Sequence, residues 1–112
     1  MKIKTSELRD LALNFAVAKC EGRENDGVWD ENFSSNWLLG GPIIERENIS
    51  TEHMPGAGDA GLDVWVATRI EGSSVSEEQG PTPLVAAMRC YVASQLGDEI
   101  EIPNELTQGE EA

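Results

Sequence analysis

Residues 80–97 read GPTPLVAAMRCYVASQLG, and the way this stretch begins and ends decides what the rest of the chain must do. Thr82 followed by Pro83 supplies a capping side chain and then a proline at the first helical position, where a missing N–H is no loss. Gly97 closes the run. A helix to Leu96 is therefore expected. Leu84, Met88, Tyr91, Val92 and Leu96 make one face, Val85, Ala86, Cys90 and Ala93 cover much of the rest, and Arg89 is the only charge. A helix so apolar around its circumference has to be covered on more than one side, by a sheet and by another helix or a second subunit.

Working outward, residues 62–70 (LDVWVATRI) give the clearest strand. Its alternation places Leu62, Val64, Val66, Thr68 and Ile70 on one face, expected to be core, and Asp63, Trp65, Ala67 and Arg69 on the other. Residues 43–49 suggest a second strand with imperfect alternation, since Ile43 and Ile44 are adjacent. Near the start, Thr5 or Ser6 is expected to cap a helix with the stripe Leu8, Leu11, Ala12, Phe15 and Ala18, ended by Gly22. Residues 23–40 read as a long loop pinned by Val28, Trp29, Phe33 and Trp37. Residues 50–61 and 71–80 read as polar loops. Residues 99–102 alternate like an edge strand stopped by Pro103, and a third strand is expected there or within 28–39. The sum is an α+β fold: a small antiparallel sheet of two to four strands packed with an N-terminal and a C-terminal helix. Residues 1–106 are expected to form a single domain, and 107–112 a mobile acidic tail.

The chain has 112 residues, 21 acidic against 8 basic, for a formal charge of −13. That field repels phosphate backbones and anionic lipids, which argues against direct nucleic-acid or membrane partners. The surplus reads as plain solubility, as attraction to a basic patch on a partner protein, or as imitation of DNA. The early apolar stretch is broken by Arg9, Asp10 and Asn14 and lacks a cleavage site, and no run is long enough to span a bilayer, so a cytoplasmic location is expected. Cys20 and Cys90 stand far apart with no CxxC, as expected of reduced, buried thiols.

Signals of chemistry are sparse. Residues 56–61 (GAGDAG) match GxGxxG, but that pattern cradles a pyrophosphate only between a strand and a helix, and here a strand follows, so a hairpin connection is the better reading. His53 is the only histidine, which leaves neither a triad nor a two-histidine metal site. The pairs Glu77-Glu78 and Asp98-Glu99 read as solvated charge. No catalysis, cofactor or metal is expected.

Arg46, Arg69 and Arg89 stand within structured segments. One reading pairs them with carboxylates such as Glu45 or Asp63, as arginines among apolar groups require. The other has them line a pocket for an anionic, aromatic ligand together with Trp37, Trp65 and Tyr91. There the rings would stack on a base, and the helix start at Thr82 would favour the anion. The candidate ligand-binding residues are thus Trp37, Arg46, Trp65, Arg69, Thr82, Arg89 and Tyr91.

Four blocks, MKIKTSEL at 1–8, AVAKCE at 16–21, WLLGGPIIER at 37–46 and GPTPLVAAMRCYVASQLGDEIEIPNEL at 80–106, resemble the NinX-type phage proteins encoded in the accessory region of lambdoid phages and prophages. The likeness runs nearly end to end. Its expected departure is a loop of variable length at 50–61. Trp65-Val66-Ala67 and the Thr-Pro-Leu opening of the last helix give a more distant likeness to small phage proteins with an α/β/α sandwich. The family is a domain of unknown function, so the resemblance implies a phage gene expressed inside a bacterium and carries over no catalytic residues. Within that context the leading expectation is a non-catalytic accessory protein. It would capture a small anionic, nucleotide-like ligand, such as a defence signal, in a pocket that a homodimer interface could complete. The alternative is an acidic protein-protein effector or DNA mimic acting on a host protein.

Overall fold

The computed structural model describes residues 2–22 and 33–102. Its order is strand β1 (Lys2–Lys4), a 3-10 turn (Thr5–Glu7), helix α1 (Asp10–Cys20), helix α2 (Trp37–Arg46), strands β2 (Ser50–Met54), β3 (Val64–Glu71) and β4 (Ser74–Gly80), helix α3 (Pro83–Leu96) and strand β5 (Glu99–Glu101). The architecture is α+β. An antiparallel sheet ordered β2-β3-β4 and a two-stranded antiparallel ribbon β1-β5 surround the helices.

Helix α3 forms where the sequence places it. The Thr82 hydroxyl accepts the Val85 N–H at 3.1 Å, Pro83 occupies the first turn, and Gly97 ends the helix at φ 91°. Seven of its residues are buried, from Leu84 to Val92. It packs on the sheet through β3 and β4 and on α1 and α2, so elements of the same chain cover it on several sides.

The remainder departs from expectation in instructive ways. The first helix begins at Asp10, with Arg9 at its cap, instead of at Thr5 or Ser6. Thr5 is buried because its hydroxyl donates to the Gly97 carbonyl at 2.6 Å, a partner 92 residues away that takes the group a local cap would have used. Residues 37–46, expected to be loop and the start of a strand, form α2. The Asn36 side chain accepts the Leu38 N–H at 2.9 Å, and Asn48, left-handed at φ 55°, lets the chain turn away after Arg46. Pro42 is tolerated because the N–H it lacks would have met the Leu38 carbonyl on the exposed side of the helix. Gly40 brings α2 against α3: a Cβ there would lie 2.5 Å from Leu84 Cδ1 and 2.6 Å from the Phe33 carbonyl oxygen.

The second strand is residues 50–54 and not 43–49, and the polar segment 74–80, expected as loop, is β4. Alternation in β3 is as read, but its faces are reversed. Trp65, Ala67 and Arg69 turn towards α3, with Ala67 fully buried, while Ile70 is 67% exposed. Small residues decide this, because a helix comes close only over Ala67 and Gly80, where a Cβ would meet the Ala86 nitrogen at 2.6 Å. The hairpin connection at residues 56–61 is a connection: the Gly56 N–H bonds to Asp63 Oδ1 and the Gly58 N–H to the Leu62 carbonyl. The expectations for Val28 and Trp29, for Pro103 and for the tail at 107–112 lie outside the described residues. Among the described residues no helix is long and apolar enough to cross a membrane.

Candidate functional site

A groove of about 690 Å³ opens where the starts of all three helices meet. Arg9 at the head of α1 and Arg89 on the second turn of α3 supply its charge, Trp37 at the head of α2 is 55% exposed on it, and Thr82 marks the head of α3. Its floor includes Asn14 and Ser34, both buried. Asn14 Oδ1 accepts the Ser34 N–H at 3.1 Å and the Ser34 hydroxyl at 2.8 Å. The two ionic residues in the described lining are both arginines, in a chain of net charge −13.

Local structure explains how the groove is held. Arg89 Nε donates to the Leu8 carbonyl at 2.7 Å and Nη1 to the Gln79 carbonyl at 2.8 Å, which fixes the guanidinium plane across the base of α3. At the head of α3, Pro83 has no N–H, Val85 gives its proton to Thr82 Oγ1, and Ala86 bonds to the Thr82 carbonyl. The Leu84 N–H is the first-turn donor that remains at the positive end of the helix dipole. On the far side of Arg89 a second cavity, about 530 Å³, is lined by Asp63, Glu77 and Glu78, so charge changes sign across this one residue. Burial and neighbouring carboxylates push the Glu78 carboxyl up, with Arg89 opposing them.

The sequence candidates separate into three places. Trp37, Thr82 and Arg89 meet in the groove. Arg46, Arg69 and Tyr91 lie in an ion-pair cluster elsewhere. Arg46 bonds Glu21 at 2.6 Å and Glu47 at 2.8 Å, Arg69 bonds Glu47 at 2.9 Å and Glu71 at 2.7 Å, and the Tyr91 hydroxyl donates to Glu21 at 2.5 Å. Hydrogen bonds that Arg46 donates to Glu21 and Glu47 push its guanidinium above its ordinary value, and burial, then the Glu21 carboxylate, pushes the Tyr91 phenol up. Neither partner anticipated for these arginines is used: Asp63 lies 3.3 Å from His53 instead. Trp65 stands on the inner face of β3, its ring centroid 4.9 Å from that of His53.

Arg9, Asn14 and Ser34 were missed as site residues. Their signal was faint but present, because Arg9 and Asn14 interrupt the apolar stripe of the first helix, and Asn14 sits among Ala12, Leu13, Ala16 and Val17, which are buried. Cys20 and Cys90 are free thiols. Among the described residues no group of three or more His, Cys, Asp or Glu side chains is placed to hold a metal ion. No curated protein matches the chain. The family described as Bacteriophage P22, NinX matches residues 24–95, which takes in α2, the whole three-stranded sheet and nearly all of α3. The chain belongs to this NinX family and is a phage accessory protein whose molecular function is unidentified.

Proposed function

We propose that the protein is a non-catalytic binder of a small anionic, nucleotide-like ligand, held in the groove at the heads of α1, α2 and α3, and that it serves the phage by sequestering a defence signal of that chemistry. One observation carries the reading: in a chain with a large acidic surplus, the described lining of this groove has Arg9 and Arg89 as its ionic groups, beside the start of a 14-residue helix and an exposed indole. A phosphate would sit between the Arg9 guanidinium and the Leu84 N–H, where fixed donors and the helix dipole favour negative charge. A base would stack on Trp37.

Arg9 is the informative residue because it is exposed and contributes little to packing. Calorimetric titration against nucleoside monophosphates and cyclic mono- and dinucleotides, with uncharged nucleosides as controls, is expected to show binding only of phosphate-bearing members. Arg9→Ala should weaken it about tenfold or more, the usual weight of a charge-assisted hydrogen bond. Arg46→Ala should leave it unchanged. Absence of binding across the panel, or equal affinity of the Arg9→Ala protein, removes the reading.

A further inference from the structure

The face of the sheet turned away from α3 is the part of the molecule that the groove does not use. Alternation along β3 puts Val64, Val66, Thr68 and Ile70 on it, and the pairing register adds Met54 from β2 and Val75 from β4. Ile70 and Val75 stand opposite one another and are 67% and 63% exposed, and Leu62, just ahead of β3, is 67% exposed. In an ordinary half-buried antiparallel sheet the outward positions are polar, whereas here β3 turns Val64, Val66, Thr68 and Ile70 outward and Trp65, Ala67 and Arg69 towards the helix. Exposed apolar side chains gathered on one sheet face, with Val64 and Val66 half-buried between them, mark an interaction surface.

Charge tells what fits it. Across the strip from one another, Glu52 on β2 is paired with Val66 and Glu77 on β4 with Thr68, so a carboxylate borders the apolar centre on each side. The outward positions of the three strands hold no lysine or arginine. A second copy meeting this face with its own would bring two further carboxylates and no cation, from a molecule that also carries −13. Nucleic acid would be repelled for the same reason.

We infer that the outer face of β2-β3-β4 docks a segment of a partner protein whose apolar side chains are flanked by lysine or arginine, with Glu52 and Glu77 as its two charge contacts. The apolar strip contributes most of the affinity and the carboxylates fix orientation and rate of encounter. This surface is independent of the groove, and loss of one function leaves the other in place.

Two-dimensional NMR of the intact protein, titrated with a short peptide of alternating leucine and lysine, tests the inference. Saturable amide shifts are expected along β3 and its neighbours. Glu52→Gln and Glu77→Gln should each weaken binding about two- to fivefold, as exposed ion pairs do. Ile70→Ser with Val75→Ser, at positions exposed enough to leave folding intact, should abolish the saturable shifts. Oligolysine of equal charge should not move the same amides. Equal perturbation by oligolysine, or shifts located elsewhere, overturns the inference. So does a dimer in sedimentation that Ile70→Ser disperses, an outcome that gives the face to a second copy.

Discussion

Arg89 Nε donates to the carbonyl oxygen of Leu8 at 2.7 Å, joining α3 to the segment ahead of α1 across 81 positions of sequence. Leu8 is fully buried, so its carbonyl has no solvent to turn to if the donor is removed. Arg89→Met keeps the aliphatic stem and loses the bonds to Leu8 and Gln79. It is expected to cost about 1–3 kcal/mol, the range for leaving one buried acceptor, the Leu8 carbonyl, unpaired, since the Gln79 carbonyl is exposed to water. Arg89→Lys should recover less than half, since an ammonium cannot reproduce the guanidinium fork. Urea unfolding of both variants measures this, and it explains why Arg9 and not Arg89 is the clean probe of ligand binding.

The neighbouring glycines of α2 should respond with opposite sign. At Gly40 an added Cβ meets the Phe33 backbone oxygen at 2.6 Å, which cannot rotate aside, whereas at Gly41 the nearest atom is Trp37 Cε3 at an ordinary 3.8 Å. Alanine gains about 1 kcal/mol over glycine in a helix interior. Overpacking of about 1–3 kcal/mol should outweigh that gain at Gly40 and leave Gly40→Ala less stable. Gly41→Ala should be more stable by about 0.5–1 kcal/mol. Thermal melting of the two variants gives the comparison directly.

Glu47 stands between Arg46 Nε at 2.8 Å and Arg69 Nη2 at 2.9 Å, and Arg69 is mostly buried, whereas Glu71, the other partner of Arg69, is exposed. The same substitution should therefore differ by position. Glu47→Gln is expected to cost about 1–3 kcal/mol, because it leaves Arg69 poorly compensated, and Glu71→Gln less than about 0.5 kcal/mol. Added salt should narrow the difference only slightly. Equal effects in denaturant titrations would contradict the assignment of Glu47 as the shared acceptor.

Alkaline pH should unfold the protein through its thiols. Burial pushes the Cys90 thiol from its ordinary 9.0 up to about 11, and burial together with the adjacent Glu21 charge pushes Cys20 up to about 12. Both folded values are raised, so above pH 9 the unfolded chain loses protons that the folded chain keeps, and stability falls as pH rises. Below that value the thiols contribute no slope. The expected loss is up to about 1.4 kcal/mol per pH unit for each thiol. Urea midpoints at about pH 8 and about pH 10, repeated on Cys90→Ala, should show the dependence reduced in the variant.

The parts of this fold that could be read in the sequence are those whose determinants are local. α3 was legible because Thr82, Pro83 and Gly97 all act within one turn of the helix. Its need for cover on several sides followed from apolarity alone. α2 was not, since WLLGGPIIER carries two glycines and a proline against helix formation, and the reason for Gly40 is a close approach to Leu84, 44 positions on. The start of α1 was misplaced because Thr5 serves Gly97. In β3 the alternation showed two faces but could not say which faced inward, because the choice belongs to the small residues Ala67 and Gly80 under α3 and outweighs the apolar count of the other side. The groove was partly legible for a similar reason: Trp37, Thr82 and Arg89 are visible as types, while Arg46, Arg69 and Tyr91 find carboxylates only once α1, α2 and β3 are assembled.

The ribbon of β1 and β5 has a bearing on how the molecule is made. Lys2 lies opposite Glu101 and Lys4 opposite Glu99, so β1 pairs only with a strand 95 to 99 positions further along the chain. Thr5 likewise depends on Gly97 and Leu8 on Arg89, both late in the sequence. Helices can form locally, but the long-range closure is concentrated in one late event. Closing the ends over such a separation raises the contact order, so the step that joins β1 to β5 is expected to set the pace of folding.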